Sequence, residues 1–131
     1  MKWCILIPTI TGREEYLQSL LDILEPQVEA HKEHVEIIIL SDAGHAKGGA
    51  TIGAKRNRLI ELAVEKGATH VSEIDDDDKV SDRYVAANLP GVLGDYDCNS
   101  LTGFYYENGR FVKPFKHDIK YKVASDNGEF F

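Results

Sequence analysis

The chain is poor in cysteine, in proline and in excess positive charge, and each shortage narrows what it can be. Two cysteines in 131 residues, Cys4 and Cys98, lie far apart beside apolar neighbours; this argues against a disulfide-stapled scaffold and reads as two reduced thiols packed in the core. Four prolines, and no repeat or low-complexity segment beyond a run of aspartates, leave no Pro-rich spacer. With 15 Lys+Arg against 22 Asp+Glu the formal charge is -7, which disfavours a general binder of phosphate backbones, since such a protein needs a basic face. No apolar run has the length of a transmembrane helix, and "MKWCILIP" is too short for the apolar region of a signal peptide. A cytoplasmic protein is expected. At 43% hydrophobic and 28% charged residues, residues 1–131 read as a single globular domain.

What is present is an alternation of two periods. "WCILIP", 3 to 8, and "EIIIL", 36 to 40, are continuous apolar runs of the kind found in strands buried on both faces, and "THVSEI", 69 to 74, alternates β-branched with polar residues. Between the first two, Tyr16, Leu17, Leu20, Leu21 and Leu24 recur at helical spacing; Thr11 and Glu14 have the spacing of a capping box, and Pro26 is expected to end or kink the helix. Between the second and third, Leu59, Ile60, Ala63 and Val64 predict the apolar face of another helix, closed near Gly67. A shorter helix, "SDRYVAANL", ends before Pro90 and Gly91. "GFYYE" and "RFVKPF" flank Asn108 and Gly109 and predict a β-hairpin. The pattern specifies an α/β fold with a mainly parallel sheet flanked by helices and a C-terminal β-hairpin.

In such folds ligands gather where loops leave the carboxyl ends of the strands. Those loops are "PTITGR", "SDAGHAKGGATIGAKRN" and "DDDDKVSDR". Asp75 to Asp78 are four adjacent acids; as a solvated loop they would merely precede a helix capped by Ser81 or Asp82, but consecutive carboxylates repel unless a cation sits among them. Mg²⁺ or Mn²⁺ takes one or two carboxylates and leaves room for phosphate oxygens. If the strand continues, Asp75 and Asp77 point the same way and Asp76 the other. The second loop concentrates glycines with Lys47, Lys55, Arg56 and Arg58 ahead of a helix, an arrangement suited to an anion. Asp42, ending the second strand, suits a ribose or base contact or a turn. His31 and His34 lack a third ligand and read as a polar helix end. Phe104, Tyr105, Tyr106 and Phe111 read as packing within the hairpin.

Taken in order, "ILIPTITGREEYLQSLLDIL", "VEIIILSDAG", "GAKRNRLIELA" and "HVSEIDDDDKV" resemble the nucleotide-sugar-binding half of the family 2 glycosyltransferases, which have the GT-A (Rossmann-like) fold; the resemblance covers roughly residues 3 to 85. It implies a nucleotide-sugar pocket formed by Pro8, Thr9, Arg13, Asp42, Lys55 and Arg56. Asp75 to Asp77 match the DxD triplet, with Asp77 as metal ligand, Asp75 shared between metal and donor, and Asp76 on the donor. It further implies a Mn²⁺ or Mg²⁺ cofactor, a UDP-sugar as the leading donor, an acceptor hydroxyl, an inverting transfer, and a catalytic base at Asp126 with Glu129 in reserve. The chain departs from the family pattern where Ser41 replaces the first of two acids after the second strand, and in the short segment that follows the aspartates. A nucleotide-sugar binding module without chemistry and a metal-dependent nucleotidyltransferase are the competing readings. A homodimer is a further possibility.

Overall fold

The structure is a computed structural model describing residues 1–97, 101–107 and 110–117; within 101–107 and 111–117 only the backbone is described. It divides into two compact units, Met1–Asp95 and Tyr96–Phe131.

The first unit is α/β. Strand β1 (Trp3–Ile10) is central in a three-stranded parallel sheet, between β2 (Val35–Asp42) and β3 (His70–Glu73). The pairing runs from Trp3 opposite Val35 to Ile10 opposite Asp42 on one side, and from Trp3 opposite His70 to Leu6 opposite Glu73 on the other. Parallel strands need crossovers, which α1 (Glu14–Ala30) and α2 (Ile52–Glu65) provide. The two faces of β1 explain the layers. Trp3, Ile5 and Ile7 pack with Leu20, Leu21 and Leu24 of α1 and with Val85, Leu89 and Val92 of α3 (Tyr84–Leu93). Cys4 and Leu6 face the other way, against Leu59 and Ala63 of α2 and Ile38 of β2. Each fully buried leucine contributes about 2 kcal/mol of transfer free energy. Trp3 Nε1 and the Tyr84 hydroxyl both donate to Ser72 Oγ, at 2.9 and 3.1 Å, joining α3 to the sheet beneath it.

Several local expectations are corrected. The N-cap position of α1 is Arg13, not Thr11, and no side chain caps it; Glu14 accepts from the Gly12 N–H, and the Thr11 hydroxyl donates to the Asp42 carbonyl at 3.3 Å. Pro26 does not end α1, which runs on to Ala30, and α3 runs through Pro90 to Leu93. On α2 the buried stripe is Lys55, Leu59 and Ala63 at successive turns, while Ile60 and Val64 are exposed. Strand β3 ends at Glu73, and Asp75 to Asp78 form a turn closed by the Asp78 N–H on the Asp75 carbonyl at 3.1 Å. Strand alternation therefore does not set the directions of Asp75 and Asp77. His31 closes α1, and His34 Nδ1 lies 3.2 Å from the Met1 carbonyl.

In the second unit β4 (Leu101–Glu107) pairs antiparallel with β5 (Arg110–His117). The turn expected at Asn108 and Gly109, the side chains of Phe104, Tyr105, Tyr106 and Phe111, and Cys98 lie outside the described residues. Cys4 is buried as a free thiol. No helix among the described residues is long and apolar enough to cross a membrane.

Candidate functional site

β1 has its first crossover partner on one side and β3 on the other, so the chain reverses its direction of travel across the sheet at the β1/β3 boundary. Such a switch point leaves a crevice beyond the carboxyl ends of the strands. Pro8 helps to open it. Lys2 and Leu6 direct their carbonyls toward β3, accepting from His70 and Ile74; Pro8, two residues on, faces the same way, where pairing has already stopped. A proline there leaves no ladder bond unmade.

Thr9 connects two charge pairs, each with one buried member. Its hydroxyl donates to Asp76 Oδ2 at 2.8 Å, and its carbonyl accepts from Lys55 Nζ at 2.8 Å. Lys55 is 2% exposed and pairs with Asp42 Oδ1 at 2.8 Å. The Asp42 carboxylate also accepts from the Gly44 and Ala50 N–H groups at 2.8 and 2.9 Å. Lys55 first, then these N–H groups, hold its pKa down to about 2. That folding of the loop needs Gly49, because a Cβ there would come within 2.7 Å of both Asp42 Oδ1 and the Gly44 nitrogen. On the other side Arg13 grips Asp76 bidentately, Nε to Oδ2 at 2.8 Å and Nη2 to Oδ1 at 2.9 Å, and its guanidinium lies 4.8 Å from the Tyr16 ring centre. Burial pushes the 6%-exposed Asp76 carboxyl up, but hydrogen bonds from Arg13 and Thr9 outweigh it and leave the group below the usual carboxylate range. The same contact with Asp76 holds the Arg13 guanidinium firmly protonated.

The neighbouring acids are open. The Asp75 and Asp77 side chains are 51% and 53% exposed. Arg56 Nη2 reaches Asp75 Oδ1 at 3.1 Å, and Arg13 Nη2 reaches Asp77 Oδ2 at 3.3 Å. Crowding by protein atoms, then the charges of Asp75 and Asp77, push the Asp78 carboxyl above its ordinary value. Local negative charge is therefore in excess despite two arginines. Pro8, Thr9, Ile10, Arg13, Ile52, Lys55, Arg56 and Asp75 to Asp77 line a cleft of about 350 Å³. The amino end of α2, capped by the Thr51 hydroxyl on the Ala54 N–H at 3.2 Å, opens beside it and favours an anion.

The structure thus brings Pro8, Thr9, Arg13, Lys55, Arg56, Asp75, Asp76 and Asp77 to one cleft, and joins Asp42 to it through Lys55. Asp126 and Glu129 lie outside the described residues. Ile10 and Ile52, which the sequence did not single out, add apolar walls; their adjacency to the Pro-Thr turn and the helix start was the available signal. Among the described residues no three His, Cys, Asp or Glu side chains form a cation cage. Asp75 and Asp77 are hard oxygen donors in a region of surplus negative charge, which fits a Mg²⁺ or Mn²⁺ ion that takes one or two protein oxygens and the remainder from ligand and water. Comparison of the chain with protein-family models, with curated proteins and with solved structures gives no match.

Proposed function

We propose that the cleft binds a nucleoside diphosphate sugar, with UDP-sugar as the leading donor, and that the chain is a metal-dependent glycosyltransferase of the GT-A type, similar to family 2. The observation that carries this reading is the meeting, at the switch point of a parallel sheet, of three cationic side chains, Arg13, Lys55 and Arg56, with two open carboxylates, Asp75 and Asp77. Cations alone would suit any anion. Open carboxylates beside them suit a diphosphate that arrives with a divalent cation.

Each group then has a task. Asp42 and the Thr9 carbonyl fix the Lys55 ammonium, and Asp76 fixes Arg13, so that both cations are in place before the ligand arrives and need little reorganisation as charge grows on it. Arg56 is less constrained and meets the diphosphate from the α2 side. Ile10 and Ile52 add apolar surface to the cleft lining. Asp77 and Asp75 would hold the metal, which supplies Lewis-acid stabilisation of the departing diphosphate. In the transfer the anomeric C–O bond to the diphosphate breaks, the acceptor oxygen bonds the anomeric carbon from the opposite face, and the acceptor's proton passes to a carboxylate base. The family resemblance assigns that base to Asp126, with Glu129 behind it.

Calorimetric titration of the full chain with UDP and GDP, with and without Mn²⁺, tests the reading. Metal-dependent nucleotide binding that is lost in Asp77→Ala is expected. Absence of metal-dependent binding, or binding unchanged in Asp77→Ala, overturns it. Donor hydrolysis or transfer by the wild type, lost in the same variant, separates an enzyme from a binding module.

A further inference from the structure

Arg13 and Arg56 both bridge acidic residues, but they are held differently. Arg13 commits Nε and Nη2 to the buried Asp76 and only touches Asp77, at 3.3 Å. Arg56 has no buried partner: Nη2 meets the half-exposed Asp75 at 3.1 Å, and Nε lies 3.4 Å from Glu73 Oε2. That Nε is shielded from solvent and makes no hydrogen bond, the one such side-chain atom among the described residues. Its nearest acceptor is the Glu73 carboxylate, so the guanidinium spans two acids, Glu73 and Asp75, neither of them buried. A guanidinium presents planar paired donors that match a phosphate.

We propose that Arg56 is a counter-ion switch: it neutralises Asp75 in the free chain and passes to a ligand oxyanion when Asp75 takes a divalent cation. The inference rests on the reading above for the ligand's identity and goes beyond it in naming the charge pair that opens. Asp75 Oδ1 accepts from Arg56, and a guanidinium beside a metal ion is repelled by it, so cation entry and release of Arg56 are one event. Released from Asp75, Arg56 has its Nη2 to offer while its Nε stays beside the Glu73 carboxylate. Asp76 keeps Arg13 in place meanwhile, so the coupling runs through the Asp75 side of the cleft. Cation and anion therefore raise each other's affinity, as linkage requires.

The test is Arg56→Gln in the full chain, with Arg58→Gln as control; Arg58 pairs with Glu61 and Glu65 along α2, and glutamine keeps helix propensity at either position. Free Mn²⁺ is counted by electron paramagnetic resonance with Mn²⁺ as the only ligand, and UDP affinity is measured by calorimetry at saturating Mn²⁺. Arg56→Gln is expected to tighten Mn²⁺ binding by about three- to five-fold, the strength of one exposed ion pair. It is expected to weaken UDP at saturating Mn²⁺ by about ten-fold, as loss of a charged hydrogen bond does. Arg58→Gln changes neither. The two effects have opposite sign, which a merely structural arginine does not produce. Mn²⁺ affinity unchanged or lowered in Arg56→Gln overturns the switch, even where wild-type UDP binding remains metal-dependent and the nucleotide reading stands. If the wild type fails to bind UDP while Arg56→Gln still tightens Mn²⁺ and weakens inorganic pyrophosphate, the switch stands and the nucleotide reading falls.

Discussion

The two ends of the parallel sheet use the same charged side chains to different effect. At the amino end Lys2 and Lys66 each reach Glu36 at 2.9 Å, with all three side chains at least one third exposed. At the carboxyl end Lys55 reaches Asp42 at 2.8 Å while 2% exposed, and Asp76 is enclosed by Thr9 and Arg13. The distances are nearly equal; the difference is that Lys55 and Asp76 are buried, while their partners Asp42 and Arg13 are 29% and 35% exposed, close to the amino-end side chains. Exposed pairs contribute at most about 1 kcal/mol, since water solvates either partner alone. A buried pair contributes little net stability when intact, yet losing one partner strands a charge and costs about 3–5 kcal/mol. The amino end is a decorated surface. At the carboxyl end one member of each pair, Lys55 or Asp76, is buried, so holding these charges there carries a desolvation cost that the amino end avoids.

The largest break in that contrast is expected from Lys55→Met. It leaves the Thr9 carbonyl and a 29%-exposed Asp42 without their ammonium and should lower unfolding free energy in urea by about 1–3 kcal/mol, since Asp42 keeps solvent access and two backbone N–H bonds. A loss below about 1 kcal/mol places the pair in the exposed class. Asp76→Asn keeps the shape but removes the charge facing Arg13, and a loss of about 2 kcal/mol is expected by the same measurement.

Acid sharpens the comparison. Asp42 and Asp76 have lowered pKa values in the fold, so the stability they contribute is complete above the ordinary carboxylate value near 4 and is lost as pH falls through the folded values, about 2 for Asp42. Asp78 is raised and acts oppositely, returning some stability as pH falls through its raised folded value. Melting temperatures between pH 5 and 2 should fall more gently in Asp42→Asn than in the wild type. Glu36→Gln, which removes the lowered carboxyl at the amino end, should flatten the curve less. The smallest effect belongs to Lys66→Ala, below about 1 kcal/mol, because Lys2 still serves Glu36 from an exposed position.

Much of the frame was legible in the sequence because apolar period and burial coincide in it. The runs at 3 to 8 and 36 to 40 became parallel strands, and Leu20, Leu21 and Leu24 became the buried stripe of α1. The three loops at the strand ends were also legible, since glycine, lysine and aspartate cluster there. The pairings were not. Lys55 sits at the core spacing of Leu59 and Ala63, but a lysine in a buried stripe reads as solvent-facing until its partner is known, and Asp42 is thirteen residues away. Asp76 looks like its neighbours in a run of four, and only tertiary contact with Arg13, sixty-three residues distant, makes it different. The helix ends misread for a related reason: Glu14 answers the Gly12 N–H, and tertiary packing carries α1 past Pro26 and α3 past Pro90.

The most direct measurement is a crystal structure of the full chain with UDP and Mn²⁺, with anomalous scattering recorded for the metal. The account predicts a diphosphate in the cleft beside Lys55 and Arg56, an anomalous peak at Asp77, and Arg13 still on Asp76. Nucleotide and metal bound elsewhere on the molecule, or a cleft without either at saturating concentrations, would contradict it.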